Sequence, residues 1–228
     1  LKMITQKQLQ ETISAYDKSR ITIGTLGGHS ALDVCRGAKD QGLRTVVVCK
    51  RGREKTYEKY YKSREGKGVV DEIILVANFS DITKPEVQQK LKELNTIFAQ
   101  SRYFWVYCNY KDIENKFAIP LFGSRTMLKA EERTGKDSQY RLLDKAGIKT
   151  PKRFTDPRRI DRLVMVKASE AARGYERAFF LANGYEDYKN KIKDMVERKI
   201  ITAASAKKAA IEEFIVGAQV NFNYFYSP

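Results

Sequence analysis

Leu163-Val164-Met165-Val166-Lys167 is the stretch on which the second half of the chain turns. Its apolar, valine-rich run reads as a strand, and the strand ends on a lysine. A lysine at a strand end ordinarily lays its stem on apolar surface and keeps its ammonium in water. The residues C-terminal to it give Lys167 more weight. A loop over Ala168 to Glu176 leads into a second strand, Arg177 to Ala182, so the pair reads as a hairpin. A helix is expected over Glu186 to Lys199 and a shorter alanine-rich one from Ala203. Strands are expected over Ala210 to Val216 and, after the Gly217 turn, Ala218 to Tyr226. The acidic pair Glu212-Glu213 falls in the first of these, just before the aliphatic run Phe214-Ile215-Val216.

The first half has another rhythm. Thr5 and Gln8 form a capping-box pair ahead of an amphipathic helix that reaches about Lys18. Ile21 to Leu26 is a β-branched strand, Gly27-Gly28-His29-Ser30 a tight turn, and Ser30 with Asp33 is expected to cap a helix that stops at Gly42. Thr45 to Cys49 is continuously apolar, the pattern of a parallel strand buried on both faces. This is a βαβ unit. A strand at Glu72 to Val76 comes next, then a helix from Pro85 to about Leu94. Thr96 to Ala99 and Tyr103 to Cys108 read as further strands, Pro120-Leu121-Phe122-Gly123 as a linker, and Asp137 to Ala146 as a short helix closed by Gly147. The expected organisation is a βαβ substrate domain over 1–122 and then a mixed α+β lobe over 123–228.

Composition bounds the function. Apolar residues make up 42% and aromatics 11% of 228 residues, enough for real cores and unlike a disordered chain. No apolar run is long enough to span a bilayer and no signal core opens the chain, so a cytoplasmic protein is expected. Cys35, Cys49 and Cys108 are scattered, and they read as buried hydrophobes in a reducing compartment. The balance of 43 basic against 28 acidic residues gives a net charge of +15, which attracts polyanions. Nucleic acid is the third-ranked partner, because the bases are spread over the chain, the densest run (Lys50 to Lys67) is interleaved with Glu54, Glu58 and Glu65, and no nucleic-acid-binding motif appears. A phosphorylated small substrate with ATP would use the same charge.

Two stations in the first half could carry chemistry. Gly28, His29 and Ser30 stand where a strand's carboxyl end meets a helix start, where open α/β sheets bind ligands and helix amides favour phosphate. His29 is the only histidine in the chain. The glycines alone are weak, because the G-x-G-x-x-G pattern is incomplete. At a second strand mouth, Gln100-Ser101-Arg102-Tyr103 could hold a phosphate or a polar base, though an ordinary polar turn would look the same.

Taken together, Ile21 to Ser30, Pro120-Leu121-Phe122-Gly123-Ser124-Arg125, Ala146 to Lys152, Val164 to Lys167, Ile211 to Gly217 and Tyr224 to Pro228 resemble the archaeal formate-dependent purine ligases of the PurP family, within the ATP-grasp superfamily. The resemblance runs from about residue 3 to 228. It implies a Rossmann-like βαβ pre-ATP-grasp domain followed by an incomplete ATP-grasp domain. It implies a ligase of de novo purine (IMP) biosynthesis that formylates AICAR to FAICAR through formyl phosphate, with AICAR, formate and ATP as partners. His29, Gly28, Ser30, Ser101 and Tyr103 would meet AICAR. Lys167, Arg173, Gly174, Glu212, Glu213 and Ile215 would meet ATP, the lysine at the phosphates and the Glu-Glu-aliphatic stretch at the adenine through its backbone. The magnesium ligands are expected beyond residue 228, so the chain by itself is expected to be truncated and inactive, with Mg²⁺ as a cofactor of the whole protein.

Two departures bear on this reading. The loop Ala168-Ser169-Glu170-Ala171-Ala172-Arg173-Gly174-Tyr175-Glu176 keeps a single glycine where the family's phosphate-covering loop is glycine-rich. The alternative it raises is a non-catalytic nucleotide-binding relative. Arg102-Tyr103 stands where the family has a small Gly-Ser pair, which leaves the exact substrate open. The aromatic stretch Val220 to Tyr226 reads as an edge strand that another copy or a further segment would cover, and a homo-oligomer is expected.

Overall fold

A computed structural model describes residues 3–123, 125, 138–168 and 178–220. These fall into two compact units, divided between residues 125 and 138.

The first unit is built on a parallel sheet of five strands: β1 (Thr22–Leu26), β2 (Arg44–Lys50), β3 (Glu72–Val76), β4 (Thr96–Ala99) and β5 (Leu121–Phe122), in the order β3-β2-β1-β4-β5. Helices α1 (Gln6–Ser14), α2 (Ala31–Asp40), α3 (Pro85–Glu93), α4 (Arg102–Tyr107) and α5 (Tyr110–Lys116) belong to it. The continuous apolar reading of β2 holds: Val46, Val47, Val48 and Cys49 are fully buried. Val46 and Val48 face one cluster with Leu26, Phe98, Phe104 and Phe117, while Val47 and Cys49 face the other with Ala31, Cys35 and Tyr57. All three cysteines are buried. Burial pushes the thiols of Cys35 and Cys108 up to about 12.

The strands of residues 22–26, 44–50, 72–76 and 96–99 and the helices after Thr5, Gly28 and Lys84 stand close to where the sequence places them. The capping box of Thr5 and Gln8 is present, but α1 ends at Ser14, and Asp17 starts a separate turn at Lys18–Arg20. The run Tyr103 to Cys108 is a helix, not a strand. Its aromatic and β-branched residues suggest a strand, yet Ser101 caps it through Tyr103 N at 3.4 Å, and Phe104 and Cys108 are buried four residues apart while Val106 is exposed. Leu121–Phe122, read as a linker, is the edge strand β5, paired through Phe98↔Leu121 and Ala99↔Phe122. Two residues bracketed by Pro120 and Gly123 carry no period by which to recognise a strand.

Arg125 anchors the end of this unit. Its guanidinium is buried and donates to the carbonyls of Ile113 (2.9 Å), Phe117 (2.6 Å) and Ile119 (2.7 Å). Burial without a carboxylate lowers its pKa to about 10.

The second unit holds an antiparallel sheet of β6 (Arg153–Phe154), β7 (Leu163–Lys167), β8 (Phe179–Asn183) and β9 (Ala210–Glu213), in the order β6-β9-β7-β8, with helices α6 (Gln139–Lys145), α7 (Tyr185–Glu197) and α8 (Ala203–Lys207). Phe154, Val164, Val166, Ala182 and Ile211 form the core on one face, with Phe180 and Tyr188 packed against it. The expected hairpin of β7 and β8 is present. The strand expected over 210–216 ends at Glu213, and Ala218–Val220 are not in a strand; the rest of the stretch expected over 218–226 lies outside the described residues.

The base of the parallel sheet is tied by Asp71, which accepts from Lys39 Nζ (2.6 Å) and Thr45 N (2.8 Å). Burial alone would raise its carboxyl pKa, but the bonds from Lys39 and Thr45 and the Lys39 charge outweigh it and hold it below the ordinary range. A depressed folded-state pKa contributes stability above the unfolded value of about 4, and that contribution is lost as pH falls through the folded value. Asp71→Asn should therefore cost about 1–3 kcal/mol at neutral pH, measured by urea unfolding, and the gap to wild type should shrink below about pH 4. An equal gap at pH 7 and pH 3 would contradict this account.

Candidate functional site

The first unit places its candidate residues by topology. From β1 the chain proceeds to β2 and β3 on one side, then returns to β4 on the other. The direction therefore reverses between β1 and β4, and the carboxyl ends of these two strands border a crevice of the kind in which open α/β sheets bind ligands. Gly27-Gly28-His29-Ser30 comes directly after β1, and Gln100-Ser101 directly after β4. Gly28, His29, Ser30, Ser101 and Tyr103 thus border one crevice although some 70 residues separate the two groups.

The loop geometry is specific. Ser30 takes the N-cap position of α2 but adopts φ 66° and makes no side-chain cap bond, contrary to the capping expected of it. Its Oγ instead lies 2.7 Å from His29 Nδ1, and both residues are exposed. Because Nδ1 is engaged, Nε2 is the imidazole atom left to face a ligand. A left-handed non-glycine residue carries strain that the surrounding structure must offset, a pattern common in ligand-binding turns.

Tyr103 bridges the two sides of the crevice. A Cβ built on Gly28 would lie 2.0 Å from Tyr103 Cε2, so the ring rests on the Gly28 backbone. The ring also meets Phe79 and Tyr107 edge-on, with centroids 5.0 and 4.9 Å away. Its hydroxyl accepts from Arg53 Nη1 at 3.4 Å. Beside them, Cys49 has its thiol pushed up to about 11, by burial first and then by the Glu54 charge, against the opposing charge of Arg53. Glu54 Oε2 is buried without a hydrogen-bond partner. Sequence reasoning missed Arg53 and Glu54, because both sit inside a mixed-charge run where nothing distinguishes one residue from the next.

In the second unit, Leu163, Met165 and Lys167 share the face opposite the core, since side chains alternate along a strand. Register places Leu181 opposite Met165 and Phe179 opposite Lys167. Leu163, Phe179 and Leu181 are each more than a third exposed, so this apolar face lies open. On it, Lys167 Nζ donates to Glu212 Oε2 at 2.6 Å, with the Glu212 side chain 6% exposed. Glu213, one residue on, goes elsewhere: it accepts from Arg162 Nη1 (2.9 Å) and Lys152 N (3.2 Å). Those bonds, Arg162 first, hold its carboxyl below the ordinary range. The structure therefore brings Lys167 and Glu212 together and turns the Glu213 carboxylate away. Ile215 lies beyond β9 and is well exposed. Arg173 and Gly174 lie outside the described residues. Among the described residues no three His, Cys, Asp or Glu side chains gather as a metal site, and no helix is long and apolar enough to cross a membrane.

A parallel sheet whose strand order reverses between β1 and β4, joined in sequence to an antiparallel sheet with a lysine on its open face, is the arrangement of the ATP-grasp fold. Two solved structures share the fold: PurP, an IMP biosynthesis protein, from Thermococcus kodakaraensis (TM-score 0.55, 20% identity, 86% of this chain and 50% of that one), and an ADP complex of purK, N5-carboxyaminoimidazole ribonucleotide synthetase (TM-score 0.57, 11% identity, 86% and 47%). A family model described as "Protein of unknown function (DUF1246)" matches residues 23–154, and one described as "Domain of unknown function (DUF1297)" matches 187–228. The chain belongs to the first of these families, and the PurP resemblance read from its motifs is borne out by curated relatives. It is 38% identical over 224 residues to the 5-formaminoimidazole-4-carboxamide-1-(beta)-D-ribofuranosyl 5'-monophosphate synthetase of Methanosphaera stadtmanae, covering 98% of this chain and 59% of that protein. It is 39% identical over 225 residues to the synthetase of the same name from Methanopyrus kandleri, covering 99% and 60%. The chain thus spans about three fifths of the length of these relatives.

The Tyr103 contact makes a direct expectation. Gly28→Ala should cost about 1–3 kcal/mol by displacing the ring, and most of that cost should vanish in a Tyr103→Ala background. Strictly additive unfolding free energies in the double mutant would show that the ring does not set the requirement for glycine.

Proposed function

We propose that this chain is the substrate- and nucleotide-facing part of an ATP- and formate-dependent ligase that converts AICAR to FAICAR in purine (IMP) biosynthesis, a cytoplasmic process. The first unit would be the AICAR-binding domain and the second the ATP-binding lobe. The observation that carries the reading is Lys167, held by Glu212 beside an open apolar face. The face suits a flat aromatic base, and the lysine supplies a positive charge at its end for phosphate. The names of the relatives, each a synthetase of the formylated nucleotide, support the product.

The reaction balances in two steps. A formate oxygen attacks the γ-phosphorus of ATP, giving formyl phosphate and ADP. The amine of AICAR then attacks the formyl carbon, phosphate leaves with the bonding pair, and the nitrogen releases a proton. Such a site works by positioning and by charge neutralisation more than by covalent participation. Lys167 and the loop residues Arg173 and Gly174 would meet the ATP phosphates, with Glu212 fixing the ammonium. Glu213 and Ile215 would offer backbone groups to the adenine, because the Glu213 carboxylate is already engaged. At the other station His29 Nε2, Gly28, Ser30, Ser101 and Tyr103 would meet AICAR. Mg²⁺ would neutralise part of the phosphate charge, held by ligands expected beyond residue 228.

Titration calorimetry with ATP and with AICAR tests the assignment. His29→Ala should weaken AICAR binding about tenfold or more and leave ATP unchanged, and Lys167→Ala should do the reverse. Normal binding of both ligands by both variants would refute the site. A wild-type chain that bound neither ligand, yet bound RNA in a salt-sensitive way, would remove the ligase reading altogether.

A further inference from the structure

The densest basic run, Lys50 to Lys67, has no part in the nucleotide reading, and one of its members, Arg53, is held by phenol side chains. Arg44, Arg153, Arg158, Arg162 and Arg198 each pair with a carboxylate. Arg53 pairs with none within ion-pair distance among the described residues. Its hydrogen-bond partners are phenols: Nη1 donates to the Tyr103 hydroxyl at 3.4 Å, and a bond with Tyr107 is the leading reason its pKa lies above the ordinary arginine value.

A neutral phenol fixes a guanidinium in place without cancelling its charge. The phenols are themselves fixed: Tyr103 rests on the Gly28 backbone, and Tyr107 packs against Phe79 with centroids 5.1 Å apart. Tyr103 thereby carries Arg53, from the loop after β2, to the loop after β1, at the mouth of the crevice between β1 and β4. Arg53 as a residue is exposed. A planar fork of donors with uncompensated charge matches a phosphate monoester, whose oxygens can accept two parallel bonds from it.

We propose that Arg53 receives the phosphate of a phosphorylated ligand in the crevice between β1 and β4, with Tyr103 and Tyr107 as positioning residues. The proposal rests on the reading that this crevice takes a ribonucleotide, and it adds the group that tells the nucleotide from its nucleoside. Tyr103 then has a double part, since its ring closes over Gly28 while its hydroxyl aims the cation.

The test compares AICAR with its dephosphorylated nucleoside by calorimetry on the full chain. Wild type should bind the nucleotide more tightly. Arg53→Gln should lose about 10- to 100-fold in affinity for the nucleotide and little for the nucleoside, so that the preference collapses. Arg53→Lys should restore only part of it, because an ammonium keeps the charge but not the fork. Tyr103→Phe, which removes the aiming hydroxyl and keeps the ring, should shift the preference in the same direction by less. Unchanged nucleotide binding in Arg53→Gln overturns the proposal while leaving the ribonucleotide reading in place. So does an equal loss for nucleotide and nucleoside, provided circular dichroism shows the variant folded as wild type. Wild type that binds neither compound removes the ribonucleotide reading, and the role of Arg53 with it.

Discussion

A parallel strand buried on both faces has no side of its own to give to a ligand. Its side chains are consumed by packing, so chemistry is confined to its ends, and the first unit is organised around that confinement. β2 sends Val46 and Val48 into one core and Val47 and Cys49 into the other. Everything the unit can offer to solvent chemistry is displaced to the loops, and the reversal of direction between β1 and β4 selects which loops meet. The antiparallel sheet of the second unit obeys the opposite rule. With this core on one face, it leaves the other partly exposed. One chain therefore offers two kinds of surface, an edge and a face, because it holds two kinds of sheet.

Much of this was legible in the residues. Continuous apolarity revealed β2, β-branched runs revealed β1 and β7, and the glycine pair before His29 marked the turn at the sheet edge. The misreadings have physical causes. Tyr103 to Tyr107 is aromatic enough to imitate a strand, and what makes it helical is Ser101 at its start and the four-residue spacing of Phe104 and Cys108, a period visible only once the buried side chains are known. β5 was too short to carry a pattern. In the acidic pair, composition treats Glu212 and Glu213 alike, but the pleat sends one to Lys167 and the other to Arg162. Arg53 and Arg125 were invisible for a related reason: among so many basic residues, only the partners distinguish one arginine from the next.

Those partners show how differently the fold holds a cation. Arg125 is buried and held through Nη1 and Nη2 by three backbone carbonyls, which turns it into a strut. Lys167 is pressed against a nearly buried carboxylate, so its ammonium is already shared with Glu212. Such a pair fixes direction more than it adds stability, because desolvation offsets much of the attraction. Arg53 is held by phenols and keeps its charge. The net excess of +15 thus matters less as a total than through the few cations whose surroundings leave the charge usable.

The cysteines carry a consequence for how the molecule can be followed. Cys35, Cys49 and Cys108 all belong to the first unit, all are buried, and burial holds each thiol well above neutrality. The second unit has none. A thiol-directed reagent can therefore reach these cysteines only when the first unit opens around them, and its rate is a built-in clock for the opening of that unit alone, silent to whatever the antiparallel sheet does.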